Sequence, residues 1–283
     1  MPADPADAGV EYFYHVTTSS GTDFESGGVF VPLAPVNSAF GPEFGLVRTL
    51  KTDHGVGALA IVKRARGATN LFDDWSPGGS MYDPFVADCT AALNLIIARG
   101  DTINVLGLAW HQGERDGVLG RTTAQYRADL QAFLMNIRQD LHAAFPTAGF
   151  EDLKVAVGEV FSKPGISPAQ ETVSANDGGA RFVSTDDLNL FDGLHFDAPG
   201  QLTMGERMAD ALIALRDGFP AAGINPPPND GVYSNLDSTL QLWNAKKAVF
   251  DNALNGQVPT VQEASAAAEL SHDLSVAMNN IVT

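Results

Sequence analysis

Four short apolar runs interrupt a mixed chain: Ala58 to Val62, Ile103 to Ala109, Lys154 to Val160 and Arg181 to Ser184. They lack the apolar–polar alternation of half-exposed strands, so they read as parallel strands buried on both faces. Helical spacing lies between them. Asp83 to Arg99 carries apolar residues at helical intervals and stops at Gly100. Thr123 to Phe145 places Tyr126, Leu130, Phe133, Leu134, Ile137 and Leu141 on one stripe, and Pro146 closes it. A third helix begins near Ala198 and Pro199, capped by Asp197, with Leu202, Met208, Leu212 and Leu215 toward the sheet. Strands alternating with helices predict a doubly wound α/β domain over residues 1–218. Val10 to Val16, VEYFYHV, is also strand-like.

Past Phe219 and Pro220 the pattern changes. Residues 219–231, with the stretch INPPPNDG from Ile224 to Gly231, read as a Pro-rich linker. In residues 232–283, Leu236 to Leu254 and Val261 to Ile281 have helical spacing around a turn at Gly256 to Pro259. This predicts a helical hairpin appendage that packs on the domain or on a partner, a second copy included. No internal repeat and no phosphate-cradling glycine motif is present in the sequence.

Composition narrows the function classes. The 283 residues are 45% apolar, enough for a full core, and carry a net charge of −17. The only basic cluster is Lys63-Arg64-Ala65-Arg66, so binding a phosphate backbone would work against the protein's own field. Nucleic acid is not an expected partner. A single cysteine, Cys89, precludes an intrachain disulfide or a cysteine zinc site, and its apolar surroundings make it a buried thiol. No metal ligand set or cofactor motif stands out. No run approaches the ~20 apolar residues of a membrane span. The opening MPADPADAG shows neither the basic region nor the apolar core of a signal peptide, and the compartment is not legible.

Two polar clusters sit where ligands bind in such folds, at the carboxyl ends of strands. In DGLHFD, Asp192 stands three residues before His195, so its carboxylate can accept from one imidazole nitrogen and leave the other as a base. In WHQGERD, from Trp110 to Asp116, Gln112 offers an amide donor to a developing oxyanion. So many donors and acceptors behind a buried strand are costly unless they bond one another. Plainer readings exist for each: a helix-capping loop for the first, a strand end turning into a polar loop for the second. A third segment, Lys63 to Asn70, follows the first strand and presents a backbone N–H at Gly67, or is simply a turn.

Together the segments resemble the sialate O-acetylesterase-like branch of the SGNH (GDSL-like) hydrolases, a carbohydrate esterase family. The matching pieces are FGPEF at Phe40 to Phe44, VKRARGAT at Val62 to Thr69 with Trp75 downstream, WHQGERD, Tyr126 with Arg138, and DGLHFDAPGQLTMG at Asp192 to Gly205. They span roughly residues 10 to 216. The resemblance implies a three-layer α/β/α, flavodoxin-like sheet and metal-free, cofactor-free serine-type hydrolysis of an acetylated carbohydrate. It makes His195 the general base and then acid, with Asp192 orienting it. Gln112 stands in the oxyanion hole beside the Gly67 N–H, while Trp110, Glu114 and Asp116 support the site.

Two departures matter. The family's double glycine before threonine is here Gly67-Ala68, where a methyl narrows the turn. More serious, the family's first strand and the GQSN motif that ends it, which supplies the serine, find no counterpart. Ser19 and Ser20 lie in TTSSG, Ser26 in ESGG and Ser80 in GGSMY, and none is read as following an apolar strand at the sheet's edge. Met1 then corresponds to the methionine that often follows GQSN, and the chain reads as a truncated or misassigned product, inactive as it stands. The competing reading is a degenerate esterase fold used for glycan binding or assembly. In the flavodoxin-like order, the strands at Ala58 to Val62 and Ile103 to Ala109 flank a vacant central slot, unless Val10 to Val16 fills it.

Overall fold

The computed structural model describes residues 4–18, 20–161 and 165–218. The predicted linker and helical hairpin lie outside them. Among the described residues the strands are β1 (Glu11–Thr17), β2 (Asp23–Glu25), β3 (Val31–Pro32), β4 (Ala60–Arg66), β5 (Leu108–Trp110), β6 (Val155–Gly158) and β7 (Ala180–Val183). The α-helices among them are α1 (Glu43–Thr52), α2 (Tyr82–Ala98), α3 (Glu114–Val118), α4 (Thr123–Ala144), α5 (Ser167–Asn176) and α6 (Ala198–Arg216).

The two longest helices, α4 and α6, follow from stripes and caps in the chain. Thr122 accepts from the Gln125 N–H while the Gln125 side chain accepts from the Thr122 N–H, a reciprocal box that starts α4. All six residues of its predicted stripe are buried. Asp197 caps α6 by accepting from Gly200 at 2.8 Å. One face of the sheet is covered by α2, α4 and α5, whose Phe85, Phe133, Ile137 and Val173 share a core with Val155 and Val157. On the other face Met204, Met208 and Leu212 of α6 pack on Ala156 and Val183, and Phe44 and Val47 of α1 pack on Tyr12. The result is three layers, α/β/α.

The middle layer is split. β5, β6 and β7 form one parallel sheet. In the other, β4 pairs in parallel with all seven residues of β1, whose opposite edge carries the short antiparallel β2 and β3. Among the described residues β4 pairs only with β1 and β5 only with β6. Each therefore keeps one edge open. Both lie between the same helix layers, since Val62 and Leu108 join one core cluster and Leu59 and Leu106 another. The carbonyl of Thr69, just beyond β4, accepts from Gln112, just beyond β5, so the two carboxyl ends lie together.

Burial corrects the expectation of uniformly covered strands. Every residue of β6 is buried, whereas none of β4 is, and Ala109 in the middle of β5 is exposed. Ile103 to Leu106, predicted as strand, enters no ladder; pairing starts where the Leu108 N–H meets the Lys154 carbonyl at 2.8 Å. The predicted β-strand at Val10 to Val16 is present as β1, but it docks on the outer edge of β4 and leaves the slot beside β5 empty of any described strand.

Across the slot, α1 and α6 bind the halves together at glycines. A methyl on Gly45 would collide with the Leu202 carbonyl, and one on Gly205 with the Pro42 carbonyl and, at 3.0 Å, the Gly45 Cα. Only residues without a Cβ let the two backbones approach so closely.

Candidate active site

The turn between β7 and α6 is organised by one carboxylate. Asp192 Oδ1 accepts from the backbone N–H groups of Leu194 at 3.0 Å and His195 at 2.7 Å, while Oδ2 lies 2.7 Å from His195 Nδ1. The three-residue spacing makes this possible, with Gly193 between them at φ +81°. These donors hold the Asp192 carboxyl down at about 2: the His195 backbone bond first, then its side-chain bond, then Leu194. With Nδ1–H donated to a carboxylate, Nε2 of His195 carries the free lone pair. The imidazole is 66% exposed.

The Gln112 loop is built the opposite way. Gln112 and Asp116 are buried, and the Gln112 amide donates to the Thr69 carbonyl at 3.0 Å and to Asp116 Oδ2 at 2.6 Å. Two acceptors on that side place the NH2 group there rather than the oxygen. The Asp116 carboxylate also accepts from the Leu71 N–H at 3.0 Å. Burial pushes the Asp116 carboxyl up, against the opposing bonds from Gln112 and Leu71. Below the loop, the hydroxyl of Tyr126 donates to the Gln112 carbonyl at 2.6 Å, and the Gln170 amide donates to the same oxygen at 3.2 Å. Trp110 is core: its ring lies 4.1 Å from Phe133 and edge-on to Trp75 at 5.0 Å.

Between the two loops stand His111 and Glu114. His111 Nε2 is 3.5 Å from Glu114 Oε1, its Nδ1 is 3.3 Å from the Gly158 carbonyl, and its ring faces Phe196 at 5.7 Å. Burial alone would raise the Glu114 carboxyl, but the bond and charge of His111, with His195 adding, bring it down to about 2. Burial lowers His111, yet the bond and charge of Glu114 and the Gly158 carbonyl raise it above the ordinary imidazole value.

The Gly67 turn ends β4. Ala68 adopts φ +62°, a left-handed conformation that disfavours a Cβ, which is where the extra methyl makes itself felt. Thr17 and Arg66 are the last pair of the β1–β4 ladder, in the phase that turns the Gly67 N–H toward the Thr17 carbonyl, while the N–H groups of Ala68 and Thr69 lie beyond the ladder. The turn lines a cavity of about 270 Å³ with Thr18, Ser20, Arg66 and Asp74.

A family model for the carbohydrate esterases described as sialic acid-specific acetylesterases matches residues 29–214. The chain belongs to that family. It is a carbohydrate esterase by descent, with the mixed α/β layers of the SGNH-like fold. A crystal structure of an Arabidopsis thaliana protein is similar with a TM-score of 0.50 and 18% identity, covering 75% of this esterase and 85% of the plant chain. That likeness speaks for the fold alone. No curated protein sequence matches.

Within this esterase, the structure brings Asp192 to His195, Gln112 to Asp116, and Glu114 to His111. His195 is not among the residues that line the cavity at the Gly67 turn. One expectation about the serines needs correction. TTSSG does follow a strand, β1, and Ser20 reaches the carboxyl edge, its hydroxyl 2.8 Å from that of Thr18. Ser19 lies outside the described residues. β1 itself was recognised only as strand-like, and its parallel pairing with β4 was not legible. Ser80 donates to Asp74 at 2.6 Å. Arg138, quoted for its family spacing, donates to the Leu153 carbonyl and ion-pairs with Asp177, so it ties α4 to α5. Gln170 and His111 carry bonds into the site that sequence reasoning did not foresee; an interior Gln on a helix was the available signal.

Proposed function

We propose that the protein serves serine-type removal of O-acetyl groups from a carbohydrate, with His195 as general base and Asp192 fixing its tautomer. The observation that carries this is the bond of Asp192 to Nδ1, which leaves Nε2 as a base held in place but free to take a hydroxyl proton. The hydroxyl comes from a strand that enters the slot between β4 and β5, parallel to both, so that its carboxyl end arrives beside the Gln112 loop. The open edges and the exposed Ala109 support such a strand. The N–H groups of Ala68 and Thr69, beyond the end of the β4 ladder beside Gly67, are the readiest oxyanion donors. Gln112 can assist only by releasing Thr69 or Asp116. Residues 1–283 alone are then inert toward esters.

The test is a pair of polypeptides, residues 1–283 and the same chain lengthened at its N-terminus by a strand ending in GQSN. The lengthened form is expected to hydrolyse ethyl acetate without added metal and to melt higher, because the strand pairs two open edges. A well-folded lengthened form without activity would overturn the serine mechanism and favour the non-catalytic, glycan-binding reading.

A further inference from the structure

The loop that holds His195 presents a second side chain for which the fold has no use. Leu190 and Phe196 face each other in an antiparallel bridge, and both pack into the core under α6. One step inward, the Phe191 N–H donates to the His195 carbonyl at 2.7 Å, making these two residues the next cross-strand pair. Successive residues of such a pair project to opposite faces. If Leu190 and Phe196 point into the core, Phe191 and His195 point out together, with Cβ atoms roughly 5 Å apart. Exposure agrees: Phe191 is 81% exposed, more than any other large apolar residue described, and it sits beside an exposed imidazole.

We propose that Phe191 is the positioning platform for the sugar. Its ring stacks on the apolar face of an acetylated pyranose and brings the ester within reach of His195 Nε2. A phenyl face is electron-rich, and the axial C–H bonds of a pyranose are weakly positive, so the two attract beyond simple burial. The platform is rigid because the Asp192 carboxylate bonds to both Leu194 and His195 within the same turn. The Asp192 carboxylate borders the imidazole, so an uncharged sugar meets no repulsion there. The proposal rests on the esterase reading of this site.

The experiment titrates residues 1–283 with methyl tetra-O-acetyl-glucopyranoside and follows saturation transfer from aromatic protons to the sugar ring. Wild type is expected to bind and to saturate the ring C–H protons. Phe191→Ala is expected to weaken binding roughly fivefold to tenfold and Phe191→Trp to retain it. Melting temperatures of both variants are expected to stay within about 1 °C of wild type. Unchanged affinity in Phe191→Ala, or no binding by wild type, would overturn the proposal. So would a clear fall in the melting temperature of Phe191→Ala, which would show that the ring packs against protein. Ethyl acetate is too small to stack, and its hydrolysis by the lengthened wild-type form separates the two failures: turnover of ethyl acetate with no sugar binding overturns the platform alone, and no turnover overturns the esterase reading.

Discussion

The two loops that meet at the carboxyl edge of the sheet solve opposite problems. Gln112 and Asp116 are buried and the Gln112 loop is cross-bonded to three other segments, so the side-chain polar groups of that pair are answered within the protein. The His195 loop is exposed and depends on a single carboxylate three residues away. What separates them is the work left over. A group whose bonds are all spoken for holds the frame, and a group with one nitrogen unspent can do chemistry.

That contrast is sharpest in the consequences of deletion. In a lengthened form that hydrolyses ethyl acetate, His195→Ala is expected to lower kcat by about a thousandfold or more with the melting curve unmoved. Rates measured beside thermal melts decide it, and near-normal turnover would remove His195 from the chemistry. Asp116→Ala should do the reverse. It strands the Leu71 N–H and one Gln112 proton in a buried place, at roughly 1–3 kcal/mol each. The melting temperature is then expected to fall by roughly 5–15 °C in a domain of this size. An Asp116→Ala protein that melts like wild type would erase the distinction between the loops.

Acidity gives a gentler probe. The Glu114 carboxyl is depressed, so its contribution to stability is full above its ordinary value near 4.5 and fades as pH falls toward about 2. His111 is raised, so its contribution is full below about 6.5 and fades as pH climbs through the raised value. Their pair therefore favours folding most between about pH 4.5 and 6.5. Melts from pH 5 to 9 are expected to decline on the alkaline side, and His111→Gln should flatten that decline. The smallest effect is expected at the strained turn: Ala68→Gly relieves a left-handed alanine and should raise stability by no more than about 1 kcal/mol, read from denaturant midpoints. A loss of stability there would mean that the methyl packs usefully.

Sequence periodicity reached α2, α4 and α6 and the two polar loops through identifiable residues, but not α1, α3 or α5, whose ten, five and ten residues are too short to show a clear stripe. Tyr126, Leu130, Phe133 and Ile137 form a stripe long enough to be unambiguous, and Asp192 with His195 has a spacing that brings the carboxylate to the imidazole within one turn of chain. The strands were harder. Ile103 to Ala109 is apolar enough for a central strand, but a ladder needs a neighbour, and only Leu108–Trp110 has one. β2 and β3 are three and two residues long and partly polar, too short to show a period. Gln112 was legible as a donor, yet nothing in a one-dimensional pattern says that Thr69 and Asp116 already claim its protons.

The glycine contact between α1 and α6 acts as a gauge. Because Gly45 and Gly205 let two backbones touch, the distance between the half-sheets is set by atoms that cannot be compressed, and so is the width offered to any incoming strand. Gly205 belongs to the same stretch of chain as His195. A bulkier residue at Gly205 would wedge the halves apart and detune catalysis from a distance, with the imidazole and its aspartate untouched.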